Sequence, residues 1–329
     1  MAYFCYNVKM FYKESYYMDI SVIVVNYNQS DLLKGILLSL SHQKTTATFE
    51  IIISDDGSNI ENIKKTFKII KDFSHLKIKY VFQQDLGYRI AQARNNAIRI
   101  AVGKIIITLD GDIIPKQNFL ESHLKLHQKR KNILAYADRS FKDINELDEQ
   151  LNNLSQILAP STNYNNTVLE KKEKELKQKS HKPWQRVFGF NMSFPNKPEY
   201  LFNENFKGWG LEDIEFAYRL NTLYGCKIMH SSAKMIHINK TSKNPLNPYL
   251  TKDKKQLKKF FQNVLYFIEE HGKNLEIIKL LYVPNVKTKE KKDAAEESIN
   301  FYQNYLKDIP NNQLYTEALH CLKQLINAL

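Results

Sequence analysis

Two patterns alternate along the first hundred or so residues. Short runs, almost wholly apolar and rich in β-branched residues, are "ISVIVVNYN" (20–28), "FEIIISDDGS" (49–58), "LKIKYVFQQ" (76–84) and "KIIITLDGD" (104–112). Between them lie segments whose apolar positions recur every three or four residues: "LLKGILLSLSHQ" (32–43), "IENIKKTFKIIKDF" (60–73) and "IAQARNNAIRIAVG" (90–103). A strand covered on both faces needs a continuous apolar run, and a helix covered on one needs the 3.6-residue stripe. The alternation predicts an α/β fold: a Rossmann-like, mostly parallel sheet with helices on both faces. Gly103 is expected to close the third helix as its C′ residue. Ligands of such sheets bind at the carboxyl ends of the strands. Three strands end there in polar sequence, "NYN", "SDDGS" and "LDGD".

Beyond about residue 140 the pattern weakens. Residues 142–180 are Asn- and Lys-rich with poor periodicity and read as mobile helices and loops. Order returns at "RVFGFNMSFP" (186–195), at "GWGLEDIEFAYRL" (208–220) and at "CKIMHSSAKMIHINK" (226–240). From about 250 onward the chain reads as helical. The expected organisation is an N-terminal extension (1–18), a main domain (19–245) in two halves (19–115 and 116–245), and a helical appendage (246–329).

Composition narrows the classes. Lys plus Arg is 48 and Asp plus Glu is 35, a net charge of +13. Such a surface attracts anions without selecting among nucleotides, acidic polymers, nucleic acid and anionic lipid. Much of the excess is Lys, in clusters that read as solvated helix faces. Three isolated cysteines, Cys5, Cys226 and Cys321, give neither zinc nor redox spacing and fit a reduced compartment. No apolar run reaches the roughly 18 residues of a membrane span. The aromatic start lacks a continuous apolar core and a cleavage site, so no secretion signal is expected. The expected location is cytoplasmic, with peripheral contact at the inner face of the membrane left open.

The candidate chemistry sits at the polar strand ends. Asp110 and Asp112 would repel each other unless a cation or hydroxyl-rich ligand lay between them, although Asp-Gly is also an ordinary turn. Asp55 and Asp56 offer carboxylates to a base N–H, or form another turn. Arg89 and Arg94 carry guanidinium forks suited to phosphate or to bracing acidic loops. In "GWGLEDIEFAYRL" the carboxylates of Glu212 and Asp213 fall where a loop becomes a helix. Ile214, Ala217 and Tyr218 share one face of that helix, and Glu215 precedes Arg219 by four residues. Acidic first-turn residues favour the helix dipole, so capping alone is one explanation.

Taken in order, "VIVVNYN", "EIIISDDGS", "DLGYRIAQARN", "IIITLDGD", "GFNMSFP" and "GWGLEDIEFAYRL" resemble the family 2 glycosyltransferases with the GT-A fold. The last two motifs resemble the branch of bacterial chondroitin-type capsule polymerases and the galactosyltransferase-type C-terminal motif. The resemblance covers about residues 20–240. It implies a divalent metal, Mn²⁺ or Mg²⁺, and a UDP-sugar donor. Asp110 would contact ribose or sugar and Asp112 would ligate the metal. His237 is the better match for a completing histidine and His230 the second. Asp55, with Asp56 beside it, would read the uracil N–H. Asn26 and Tyr27 would line base and ribose, and Arg94 would brace the acidic loop or touch the donor. Asp213 would be the general base, Glu212 would hydrogen-bond the acceptor sugar, and Trp209 would stack on a sugar face. Gly208 and Gly210 would let the backbone pass close to the donor.

The implied reaction inverts the anomeric carbon, turning an α-linked donor into a β-glycoside. GalNAc, GlcNAc or Gal is the favoured sugar. The acceptor is a glycan or lipid-linked saccharide of bacterial surface polysaccharide synthesis, and no nucleic-acid partner is expected. One catalytic unit implies one sugar type added. Two other classes compete. A catalytically silent GT-A scaffold or polyanion-binding module would explain the charge. A nucleotidyltransferase would need an early Gly-rich phosphate loop, which "VIVVNYNQSD" lacks.

Overall fold

The computed structural model describes residues 18–144, 182–240, 254–271, 289–306 and 323. Nearly all of the expected N-terminal extension, of the 142–180 segment and of the last helical stretch, with Cys5 and Cys321, lies outside these residues. The described residues divide into two compact units. One falls within Met1–Asn203 and Phe216–Thr241, the other within Glu204–Glu215 and Ser242–Leu329.

The first unit follows from its apolar runs. β1 (Met18–Asn26), β2 (Phe49–Asp55), β3 (Ile78–Phe82) and β4 (Gly103–Leu109) lie parallel in the order β3-β2-β1-β4. β1 is an interior strand, and Ile20, Val22, Ile23 and Val24 are fully buried, as a strand covered on both faces requires. The covering helices are α1 (Ser30–Ser41), α2 (Ile60–Asp72) and α3 (Ile90–Ile100). The sheet continues through β6 (Ile133–Tyr136), β8 (Asn191–Pro195) and β9 (Lys227–His230) in the order β4-β8-β6-β9. β8 alone among the seven runs antiparallel to its neighbours. A second sheet joins β5 (Ile113–Pro115), β10 (Met235–Lys240) and β7 (Arg139–Ile144) in the order β5-β10-β7.

Gly103 does not close α3. The helix ends at Ile100 with Ala101 extended, and Gly103 opens β4. A Cβ on it would lie 2.3 Å from the Ser21 nitrogen, so close approach to β1 explains the glycine.

α4 (Phe119–Lys129) sets two buried histidines one turn apart against β8. The Asn191 side-chain oxygen can only accept, so His123 Nε2 donates to it (3.1 Å) and His123 Nδ1 accepts from the Ser193 hydroxyl (2.8 Å). His127 Nε2 then donates to the same hydroxyl (2.9 Å). Burial lowers His123 to about 3, helped by the neighbouring His127, and lowers His127 to about 4. A depressed histidine stabilises the fold fully above its unfolded pKa, near 6.5, and loses that contribution as pH falls toward the folded value. Each histidine costs about 1.4 kcal/mol per pH unit in that window. Thermal melts are expected to show a stability loss on the order of 4 kcal/mol between pH 7.5 and pH 5. In His123→Gln/His127→Gln the difference should largely vanish. An equally steep acid loss in the double variant would exclude the pair as its source.

In the second unit, α6 (Lys254–His271) and α7 (Lys289–Leu306) pack together. Leu257, Phe261, Val264 and Ile268 form a buried stripe on α6. No helix among the described residues is long and apolar enough to cross a membrane.

Candidate active site

Strand register builds the first part of the site. Asn26 and Asp55 are partners at the ends of β1 and β2, and Asn26 Nδ2 donates to Asp55 Oδ2 at 2.9 Å. Asp55 Oδ1 accepts from the Gly57 and Ser58 backbone N–H groups (3.1 and 2.6 Å), and the residue is fully buried. Asp56 accepts from Gln83 Nε2 and from the Arg89 backbone N–H. Burial pushes its carboxyl up, against those hydrogen bonds, which pull it down. Tyr27 is 47% exposed, its hydroxyl 3.2 Å from Asp85 Oδ2. The structure thus gathers Asn26, Tyr27, Asp55 and Asp56 at one strand edge, with an exposed ring beside enclosed carboxylates. Gln83, Asp85 and Ser58, which also shape this edge, carry no sequence signal beyond their polarity.

β4 stops at Leu109, and Asp110 to Asp112 form the turn into β5. Arg94 on α3 is 1% exposed and reaches Asp110 Oδ1 at 2.9 Å. Its guanidinium lies over the Phe202 ring at 5.1 Å. A Cβ at Gly189 would sit 2.3 Å from Arg94 Nη2, which explains the glycine of "GFN".

β10 pairs antiparallel with β5, His237 opposite Ile113, and the Ile238 N–H donates to the Asp112 carbonyl (2.9 Å). That ladder brings His237 Nε2 to 3.2 Å from Asp112 Oδ2. His230 ends β9 and pairs instead with Asp138, at 3.1 Å. Burial alone would raise the Asp112 carboxyl, but His237, followed by Arg139, holds it below the usual range. Arg139 lies over the Phe190 and Phe141 rings, at 4.0 and 4.8 Å, and escaped the sequence reading.

The Asp112–His237 pair fits a divalent ion on three counts. Asp112 Oδ1 is buried without a hydrogen-bond partner among the described residues. Imidazole with carboxylate suits Mn²⁺ and accepts Mg²⁺. Ligands about 2.1 Å from an octahedral ion and at right angles lie about 3 Å apart, close to the observed spacing. No cluster of three or more His, Cys, Asp or Glu side chains able to hold a metal occurs among the described residues. Two protein ligands leave room for phosphate oxygens, the usual arrangement for Mg²⁺-type nucleotide sites.

The second unit holds the start of the GWG motif. Gly208, Gly210 and Leu211 all have positive φ, 78°, 103° and 76°. Leu211 is not a glycine, so its left-handed backbone costs about 1–2 kcal/mol. Directly after it, α5 (Glu212–Thr222) begins with three acidic residues, Glu212, Asp213 and Glu215. Glu212 is buried, while Asp213 is partly exposed and its Oδ1 accepts from the Ile214 N–H (2.8 Å). Trp209 is partly buried, its ring 5.9 Å from that of Phe260 on α6.

The Glycosyl transferase family 2 model matches residues 21–195, more than half of the chain. The chain therefore belongs to glycosyl transferase family 2. Within it the similarity is to the chondroitin-type branch: Escherichia coli chondroitin synthase is 32% identical over 225 residues, covering 61% of this chain and 32% of that protein. The chain spans about a quarter to a half of the length of the curated relatives it matches. Among solved structures, Staphylococcus aureus TarS 1–349 in complex with UDP-GlcNAc aligns with a TM-score of 0.56 at 15% identity, over 94% of this chain and 89% of that one. GalNAc-T7 with UDP, GalNAc and Mn²⁺ aligns with a TM-score of 0.54 at 16% identity, over 90% of this chain and 59% of that one. These likenesses establish the GT-A fold.

Proposed function

We propose that the chain is an inverting, metal-dependent glycosyltransferase. It transfers a sugar from a UDP-sugar to a hydroxyl of a glycan or lipid-linked acceptor in bacterial surface polysaccharide synthesis. The observation that carries the reading is the Asp112–His237 pair, with its partnerless buried oxygen, on the turn after the central strand β4. The neighbouring structures, one in complex with UDP-GlcNAc and the other with UDP, GalNAc and Mn²⁺, support the donor class and the metal.

Asn26, Tyr27, Asp55 and Asp56 bind the nucleoside, the exposed Tyr27 ring offering its face to the base. Arg94 holds Asp110 for the ribose or sugar, and the ion pair fixes the loop. Asp112 and His237 hold Mn²⁺ or Mg²⁺, which when bound offsets the charge growing on the leaving diphosphate. Asp213 takes the proton of the acceptor hydroxyl as the C1–O bond to UDP breaks, because a neutral sugar hydroxyl is a poor nucleophile. Glu212 orients the acceptor and Trp209 stacks on its ring. Attack opposite UDP inverts the anomeric carbon. N-acetylhexosamine or galactose is the favoured donor sugar. The chain acts at the cytoplasmic side, with anionic membrane as a peripheral contact.

The test is a donor screen. The protein with Mn²⁺ is given UDP-GalNAc, UDP-GlcNAc, UDP-Gal, UDP-Glc and UDP-GlcA, and release of UDP is recorded. One donor should be cleaved well and EDTA should stop it. Cleavage of none, with no donor raising the melting temperature, would remove the reading.

One observation favours the polyanion-binding alternative. A cavity of about 760 Å³ between the 44–46 loop, α4 and residues 230–232 is lined by Lys44, Lys125 and Lys129, with Glu121 the one carboxylate among them and paired with Lys125. A non-catalytic binder would keep its affinity for polyanions when Asp112 is replaced.

A further inference from the structure

α6 looks like a packing helix, and one face of it does something else. Asn263 is 4% exposed in a stripe that is otherwise apolar, and its Nδ2 donates to the Gly210 carbonyl at 2.9 Å. A buried amide is costly unless bonded, so the position is explained by the turn it holds. One turn earlier, Phe260 lies where a Cβ at Gly210 would come within 2.8 Å. Two turns on, His271 Nε2 meets the buried Glu215 Oε1 at 3.0 Å. Residues 260, 263, 267 and 271 share this face, which meets the strained Gly208–Leu211 turn at Gly210 and the first turn of α5 at Glu215.

We infer that α6 is a working part of the reaction site: Asn263, with Phe260 and His271, is a positioning residue that keeps the turn left-handed and so sets Glu212 and Asp213 at the head of α5. This rests on the role given to Asp213 under the proposed function. Left-handed backbone at a leucine persists only where the surroundings over-determine it. Without the Asn263 bond Leu211 relaxes to ordinary φ and the first turn of α5 shifts. A misplacement of about 1 Å in a reacting group costs roughly a hundredfold in rate.

Asn263→Asp tests this in the full chain. It keeps the shape, removes the donor and turns an oxygen toward the Gly210 carbonyl. The readouts are kcat and KM for the UDP-sugar cleaved by the wild type, and UDP–Mn²⁺ affinity by calorimetry. We expect kcat to fall at least tenfold with UDP affinity within twofold of wild type. Adding Leu211→Gly, which lifts the backbone penalty, should recover several-fold of the lost kcat. If Asn263→Asp does not fold, Phe260→Leu loosens the same grip and should give the same split. An unchanged kcat in a folded variant overturns the inference, as does a parallel loss of kcat and UDP affinity. A wild type that turns over no UDP-sugar sinks the functional reading first and this inference with it.

Discussion

Asp112→Asn is expected to cut UDP-sugar turnover roughly a thousandfold, about 4 kcal/mol of lost charge stabilisation. The substitution keeps size and shape and removes the charge. What remains beside His237 is a neutral amide, a poor ligand for a hard divalent ion. UDP affinity in the presence of Mn²⁺ should fall with turnover, because in the proposed site the ion would hold the diphosphate to the protein. The fold should survive, since the asparagine keeps the shape of the carboxylate and an oxygen able to accept from His237 Nε2. EDTA supplies the control: it should abolish wild-type turnover and leave the residual activity of the variant almost unchanged. His237→Gln in the same chain should add much less than it does alone, because under the proposed function the two residues would hold one ion. Turnover within tenfold of wild type would remove Asp112 from the metal site.

Asp213→Asn should separate chemistry from binding. A positioned general base contributes roughly 10²–10⁴ in rate, so turnover should fall by that factor. UDP–Mn²⁺ affinity should stay within about twofold, a pattern opposite to that of Asp112→Asn, which loses both. Asp213 is partly exposed and its Oδ1 bonds to the adjacent Ile214 N–H, a contact an asparagine oxygen can keep. The helix start should therefore persist, and circular dichroism should match wild type. A turnover loss below tenfold would return Asp213 to the plain capping role that its place in the first turn also allows.

The strands that bear the site were legible because burial on both faces leaves a run such as Val22–Val25 little other reading. Their polar ends were legible for the same reason, since Asp110 and Asp112 interrupt an apolar segment abruptly. Local pattern could not reach contacts made across the sheet. Gly103 looked like a helix cap because a glycine after a helix usually is one, whereas its steric partner is the Ser21 backbone. The antiparallel course of β8 is absent from "NMSFP", whose Asn191 and Ser193 face the histidines of α4. His237 meets Asp112 only through the β10–β5 ladder, and Arg139 arrives through β7 beside it. Asn263 is one polar residue in an apolar helix, and nothing in its neighbours names Gly210 as its partner.

The pairing of β1 with β2 has a consequence for how chains of this kind can vary in length. Asn26 stands opposite Asp55 because Ile20 stands opposite Phe49, with no irregularity between. A single-residue deletion anywhere from 21 to 25 would turn the buried face of β1 outward and move Asn26 away from Asp55 in one event. Folding and the proposed nucleotide site share a ruler there. Insertions and deletions must therefore collect in the connections, such as the loop after α1, where added residues shift no strand against its neighbour.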